Sequence, residues 1–167
     1  MTQVQFFVQG LPVSQGSKNV YANKKTRKPI LVESRHAELQ RWRTLIALRW
    51  KQQQAAKLTG AIAAQLDYYM PRPKSHFGTG RNAHKLKPSA PYYCAVKPDV
   101  DKLDRAVFDA LTQAGAIEDD ARIVIINAVK MYANKPAQQG VNITLAQVPD
   151  KPYENKPPTQ RPKERTL

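Results

Sequence analysis

Asp99 and Asp101 stand two residues apart directly after Pro98, and a second carboxylate pair, Asp119-Asp120, follows further along the chain. One Asp ahead of an apolar helical run is ordinarily a helix cap, and one is enough for that purpose. A turn also favours Asp for local hydrogen bonding. Two Asp flanking Val100, with an adjacent pair beyond, exceed what capping requires. Neighbouring carboxylates repel each other unless a cation or solvent intervenes. The matching chemistry is a site for a hard divalent ion such as Mg²⁺, which prefers oxygen ligands and turns bound water into a nucleophile.

The charge distribution strengthens this reading. Seven of the thirteen acidic residues lie between Val96 and Asp120, against three Lys/Arg. Residues 1–95 carry sixteen Lys/Arg and three Asp/Glu, and the whole chain of 167 residues has a net charge of +14. An acidic island in a basic chain implies two tasks on one surface. The basic part attracts a polyanion, and the carboxylates hold a cation beside it. The plainer alternative is a protein with an arginine-rich surface and no such task. No segment approaches the roughly twenty apolar residues of a membrane span. MTQVQFFVQG has neither a basic n-region nor a long apolar stretch, so no secretory signal is expected. Cys94 has no second cysteine to pair with, which fits a reducing cytoplasm. His36, His76 and His84 are too scattered around it for structural zinc.

The elements that must position these groups are legible from periodicity. VQFFVQGL (4–11) alternates as a strand, with Val4, Phe6 and Val8 on one face. The lysine-rich stretch to about Val32 reads as a loop or hairpin. Ser34 is placed to cap a helix over 35–57, in which Leu39, Trp42, Ile46 and Trp50 form the apolar face and Gly60 ends the run. Both tryptophans are expected in the core. AIAAQLDYYM (61–70) is a strand. Residues 71–98 form a long basic loop in which Arg72, Lys74, Arg81, Lys85 and Lys87 alternate with Phe77, Tyr92 and Tyr93. It reads either as a floppy insertion or as an arm that contacts nucleic acid. Val100–Gly115 is the clearest helix, with an apolar stripe from Leu103 to Ala114 and Gly115 as its cap. ARIVIINAVKMY (121–132) and VNITLAQV (141–148) are strands expected to pair as a hairpin. The order β-α-β-α-β-β predicts an α+β fold, a single domain (1–148) with one mixed sheet and flanking helices. The basic, proline-rich tail 149–167 is expected to be disordered.

With Val107 at the centre of the apolar stripe and 100° per residue, Asp101, Arg105 and Asp109 all fall on the side away from the core. Asp101 and Arg105 are i, i+4 neighbours. They form either a surface ion pair or a metal-binding carboxylate with a cation beside it for a phosphate oxygen. Bringing Asp120 near Asp99 requires either the fold or a second subunit.

KPDVDKLDRAVFDALTQAGAIEDDARI (97–123) resembles the signature of the RusA family of Holliday-junction resolvases. The family pattern is D-x-D-N/K, an apolar helix with a basic residue and D-A-L, then a glycine and a D-D pair before a strand. The likeness extends over most of residues 4–148. It implies a homodimeric, Mg²⁺-dependent endodeoxyribonuclease of phage or prophage type, with Mn²⁺ a possible substitute and no organic cofactor. It implies branched, four-way DNA as substrate, a role in recombination and repair, and a cytoplasmic location in a bacterial or phage-infected cell. Residue by residue, it implies that Asp99, Asp101 and Asp120 are catalytic metal ligands with Asp119 beside them. Arg105 takes the position where the family commonly has a catalytic lysine, and Lys102 the position where many members have Asn. Arginine keeps a fixed charge but gives up no proton at neutral pH. Lys102 joins Arg72, Lys74, Arg81, Lys85 and Lys87 among the expected DNA contacts. Two other readings stay open on the residues alone: a non-catalytic branched-DNA-binding protein that modulates replication or packaging, and a less selective flap or fork nuclease.

Overall fold

In the computed structural model, residues 2–16, 18–22, 29–33 and 35–149 are described, those between 18 and 33 by backbone alone. Ser34 and residues 150–167, with the expectations that fall on them, lie outside the described residues. Strands β1 (Gln3–Gln9), β4 (Ile62–Met70), β5 (Ile123–Tyr132) and β6 (Gly140–Gln147) form one mixed sheet in the order β1-β6-β4-β5. Strands β2 (Lys18–Ala22) and β3 (Pro29–Glu33) pair antiparallel as a separate two-stranded sheet, in accord with the hairpin alternative for this stretch. Helices α1 (His36–Gln52) and α2 (Val100–Gln113) cover one face of the large sheet. The α+β class and single mixed sheet follow the expectation.

Period-two alternation explains the core. Phe6 and Val8 of β1, Ile62, Leu66 and Tyr68 of β4, and Val141, Ile143 and Leu145 of β6 all point under the helices and are buried. They meet Leu39, Trp42, Ile46 and Trp50 of α1 and Leu103, Val107 and Leu111 of α2 in one cluster. The tryptophans are core residues, as expected. Gly140 admits β6 beside β1. Its φ is +154°, and a Cβ there meets the Val8 carbonyl oxygen at 2.1 Å.

Three boundaries differ from the sequence reading. Strand β6 does not pair with β5: it pairs antiparallel with β1 and β4, while β4 pairs parallel with β5. With three inward side chains fully buried, β6 needs neighbours on both edges, and a hairpin with β5 leaves it one. Helix α1 ends at Gln52, short of 57, because Leu58 leaves the helical path to bridge Ile117 and donates its N–H to Ala116. Helix α2 ends at Gln113 with Gly115 at φ +74°. There the Ala116 and Gly115 N–H groups bond the Leu111 and Thr112 carbonyls in a Schellman closure.

The loop 71–98 is folded rather than floppy. It makes two single turns (Lys74–His76 and Gly80–Asn82), a Phe77–Leu86 bridge, and an anchor to β5 through Tyr93 and Met131.

Candidate active site

Helix α2 delivers the first carboxylates. Asp99 occupies its N-cap position in extended conformation, yet its side chain makes no cap hydrogen bond. The carboxylate accepts instead from Lys102 Nζ at 2.8 Å. That bond and the Lys102 charge hold Asp99 below the usual carboxylate range, with Lys97 and Lys130 adding to the effect. Lys102 is raised in turn, first by the same bond. The Lys102 bond therefore favours the ionised form of Asp99. Asp101 and Arg105 are exposed on the helix, as the wheel predicts, and form no ion pair with each other.

Asp109 departs from the wheel. It is half-buried and accepts from Arg43 Nη2 of α1 at 2.5 Å, and the same guanidinium group reaches Gln15 at 3.0 Å. Asp104, which the sequence reading left without a role, turns inward and accepts at 2.9 Å from Tyr68, a tyrosine fully buried in β4. Burial raises the Asp104 carboxyl, the Tyr68 bond pulls the other way, and the Asp101 charge adds to the rise. Folding thus favours the neutral acid more than a free carboxyl does, and the stability this brings is lost as pH rises from the ordinary carboxylate range through the raised folded pKa. Asp104→Asn is expected to gain stability over the parent chain as pH rises from about 4 to 7, because the amide oxygen still accepts from Tyr68 and carries no buried charge. Thermal melts across that range check this, and a difference that does not change with pH counts against it.

Lys130 is the residue that sequence reasoning missed. It lies on the inward side of β5, in register with Tyr68, and its ammonium group donates to the carbonyls of Val96 at 2.6 Å and Pro98 at 2.5 Å. It thereby ties down both ends of the segment that ends at Asp99. The available signal was a lone Lys at the inward period of Ala128 and Tyr132. Charge-assisted bonds of this kind are worth about 1.5–3 kcal/mol each. If Asp99 holds a divalent ion, Lys130→Met is expected to lower metal-dependent activity at least about tenfold and to raise the Mg²⁺ concentration for half-maximal activity, because Asp99 is no longer held. A metal titration separates this from simple loss of stability, which leaves the half-maximal concentration unchanged.

The second pair sits elsewhere. Asp119 caps the turn Asp120–Arg122, accepting from the Ala121 N–H at 2.8 Å, and Asp120 opens that turn just ahead of β5. Helix α2 separates the two pairs: fourteen residues at about 1.5 Å each span roughly 21 Å. Strand β5 gives a second ruler, since Asp99 lies beside Lys130 and Asp120 precedes Ile123, about 23 Å away at 3.3 Å per residue. Accordingly, among the described residues no three His, Cys, Asp or Glu side chains gather as a metal cluster. Asp99 and Asp101 carry hard oxygen donors of the kind Mg²⁺ takes, at the N-cap and in the first turn of α2.

Of the expected DNA contacts, Lys102 is paired with Asp99, and on the loop Arg72 and Lys87 have structural partners. Arg72 donates to Pro91 and Ala133 carbonyls and stacks over Tyr132, and Lys87 donates to Ser75. Lys74, Arg81 and Lys85 are exposed along the folded loop. No helix among the described residues is long and apolar enough to cross a membrane.

Comparison with known proteins bears on the same segments. Crossover junction endodeoxyribonuclease RusA of Escherichia coli K12, and the proteins of that name from the E. coli strain CFT073 and from Shigella sonnei Ss046, are each 46% identical over 46 residues. These 46 residues are 28% of this chain and 38% of each relative, so the chain spans well under half the length of the curated relatives it matches. The family model for endodeoxyribonuclease RusA, by contrast, matches residues 10–145, which include both helices, the folded loop and all four carboxylates. The chain belongs to the endodeoxyribonuclease RusA family.

Proposed function

We propose that this protein is a Mg²⁺-dependent endodeoxyribonuclease that resolves Holliday junctions as a two-fold homodimer, hydrolysing one phosphodiester in each of two opposed strands during recombination and repair. The observation that carries this is Asp99: a carboxylate at a helix N-cap that caps nothing, is held ionised, and stands within a family match covering both Asp pairs. Asp99, Asp101 and Asp120 would hold a divalent ion, which would lower the pKa of a water ligand and offset phosphate charge. The chain's own groups do the rest. Lys130 holds the Asp99 segment, Lys102 neutralises Asp99 and is released toward phosphate, and Arg105 offers a fixed guanidinium one turn from Asp101.

The sheet supports a dimer. Strand β5 is one of the sheet's two edges, and Val124, Ile125 and Ile126 are 59%, 51% and 53% exposed there. An unpaired apolar edge is a template for a second strand. The far end of β5 is covered by the loop, through Cys94 N–H to Lys130 and Tyr132 N–H to Tyr92, which leaves residues 123–129 open. Antiparallel pairing of two such edges about a centre near Ile126 sets the partner's Asp120 against the end of β5 where Asp99 lies. The separation within one chain is thereby closed across the two-fold axis, and each of the two sites draws on both chains.

Cleavage of a synthetic four-way junction beside linear duplex, with and without Mg²⁺, tests the reading; Mn²⁺ is expected to substitute. Metal-independent binding without cutting points to a non-catalytic branched-DNA protein, and equal cutting of flaps and forks to a less selective nuclease. Junction binding should fall steeply with salt, by about −0.9 in log K per log salt for each phosphate contact. Affinity that hardly changes between low and moderate salt contradicts a polyanion partner. A cytoplasmic location in a bacterial or phage-infected cell accords with this substrate.

A further inference from the structure

We infer that the cleft between the segment Cys94–Pro98 and the start of the folded loop receives an unstacked nucleobase of the strand being cut, next to the scissile phosphate; this rests on the nuclease reading above. The cleft has a volume of about 450 Å³, within the usual range for a ligand site. Its walls are apolar, from Leu11, Met70, Val96 and Tyr132 among others, and Arg35, Arg72 and Lys97 also line it. Among the described residues no carboxylate does. Leu11 is 45% and Val96 60% exposed, so two large apolar side chains are left to water beside a hollow. A flat apolar ring tethered to an anion satisfies both features, and a nucleobase with its phosphate is such a group.

The cleft is also preformed. Arg72 lies 5.1 Å from the centre of the Tyr132 ring, and the carbonyls of Pro91 (2.8 Å) and Ala133 (3.4 Å) fix its guanidinium group. The Tyr132 ring meets His76 edge-on at 4.9 Å. These contacts restrain the aromatic wall before any ligand arrives, which reduces the ordering cost of binding.

Position gives the cleft its meaning. Val96 and Lys97 line both this cleft and the hollow that contains Asp99, Val100 and Lys130. A phosphate at Asp99 thus has the base of an adjoining nucleotide one ridge away from the cleft. Extruding that base from continuous duplex costs unstacking and unpairing, and the cost is least where the base is already unpaired. Bases at a branch point are the cheapest to extrude, so the cleft contributes to the preference for branched over linear DNA.

The test is a single-turnover cleavage scan with four-way junctions carrying one abasic site at each nucleotide flanking the cut, using the full chain and its Leu11→Trp and Val96→Trp variants. Both substitutions fill the cleft from exposed positions. One flanking position is expected to show about a tenfold loss when abasic. Both Trp variants should lose a similar factor on intact junction and little more on the abasic one, the non-additivity expected of groups that meet. Equal cutting at every abasic position, or losses that add, overturns the cleft assignment while the nuclease reading stands. A parent chain that cuts no branched DNA removes the nuclease reading, and the cleft assignment with it.

Discussion

Asp99→Asn and Asp120→Asn, each inactive alone, are expected to regain strand nicking when mixed. The single substitutions remove a metal ligand each and should abolish cleavage, as should Asp101→Asn, while leaving junction binding intact or tighter because a negative charge facing DNA is gone. Wild-type cutting by Asp120→Asn removes that residue from the site. The mixture then asks which chain supplies Asp120. If each site joins Asp99 of one subunit to the partner's Asp120, the heterodimer of the two variants has one site with both substitutions and one site with neither. It therefore nicks one strand and cannot cut the opposed one. If Asp120 serves its own chain, both sites in the heterodimer are defective and the mixture stays silent. A supercoiled plasmid with an extruded cruciform reports the difference, since one nick gives an open circle and paired cuts give a linear product. The separation of about 21 Å imposed by α2 is the reason to expect the open circle.

The same separation marks the limit of what the sequence carried. Helix α2 was legible almost to the residue, because its stripe repeats at 3.6 and Gly115 closes it. The side-chain wheel failed at Asp109, and left Asp104 without a partner, because it assumes a single packed face, whereas α2 packs on the sheet and on α1 at once. Tyr68 lies on one of those neighbours and Arg43 on the other, both far away in sequence. Strand β6 was found but mispaired, since adjacency in sequence favours a hairpin and only the need to bury Val141, Ile143 and Leu145 from both sides opposes it. Spacing singled out Asp99, Asp101 and Asp120 as candidates, but spacing does not say that a helix and a strand stand between them. Lys130 was hidden for a related reason. Its partners are backbone carbonyls, which leave no trace in a pattern of side chains.

Arg105→Ala is expected to lose about 10²–10³-fold in single-turnover cleavage, the effect of deleting one group that stabilises charge in the transition state. The ordinary alternative is a surface ion pair with Asp101, worth under about 1 kcal/mol of stability and nothing in catalysis. The structure withdraws the partner that alternative needs, since Arg105 is exposed one turn from Asp101 and forms no ion pair with it. An arginine that is not spent on its neighbour keeps its fork for a phosphate oxygen. Arginine also remains charged throughout the working range, so its role is a fixed positive field and not proton transfer. Arg105→Lys should therefore retain much of the rate, because it preserves the charge and loses only the bidentate geometry. The lysine variant should also bind metal with unchanged affinity, as Asp99 and its supports are untouched. An alanine variant that cuts at the parent rate transfers the role to Lys102, the other cation on this turn of α2, whose bond to Asp99 would then be the one that metal binding releases.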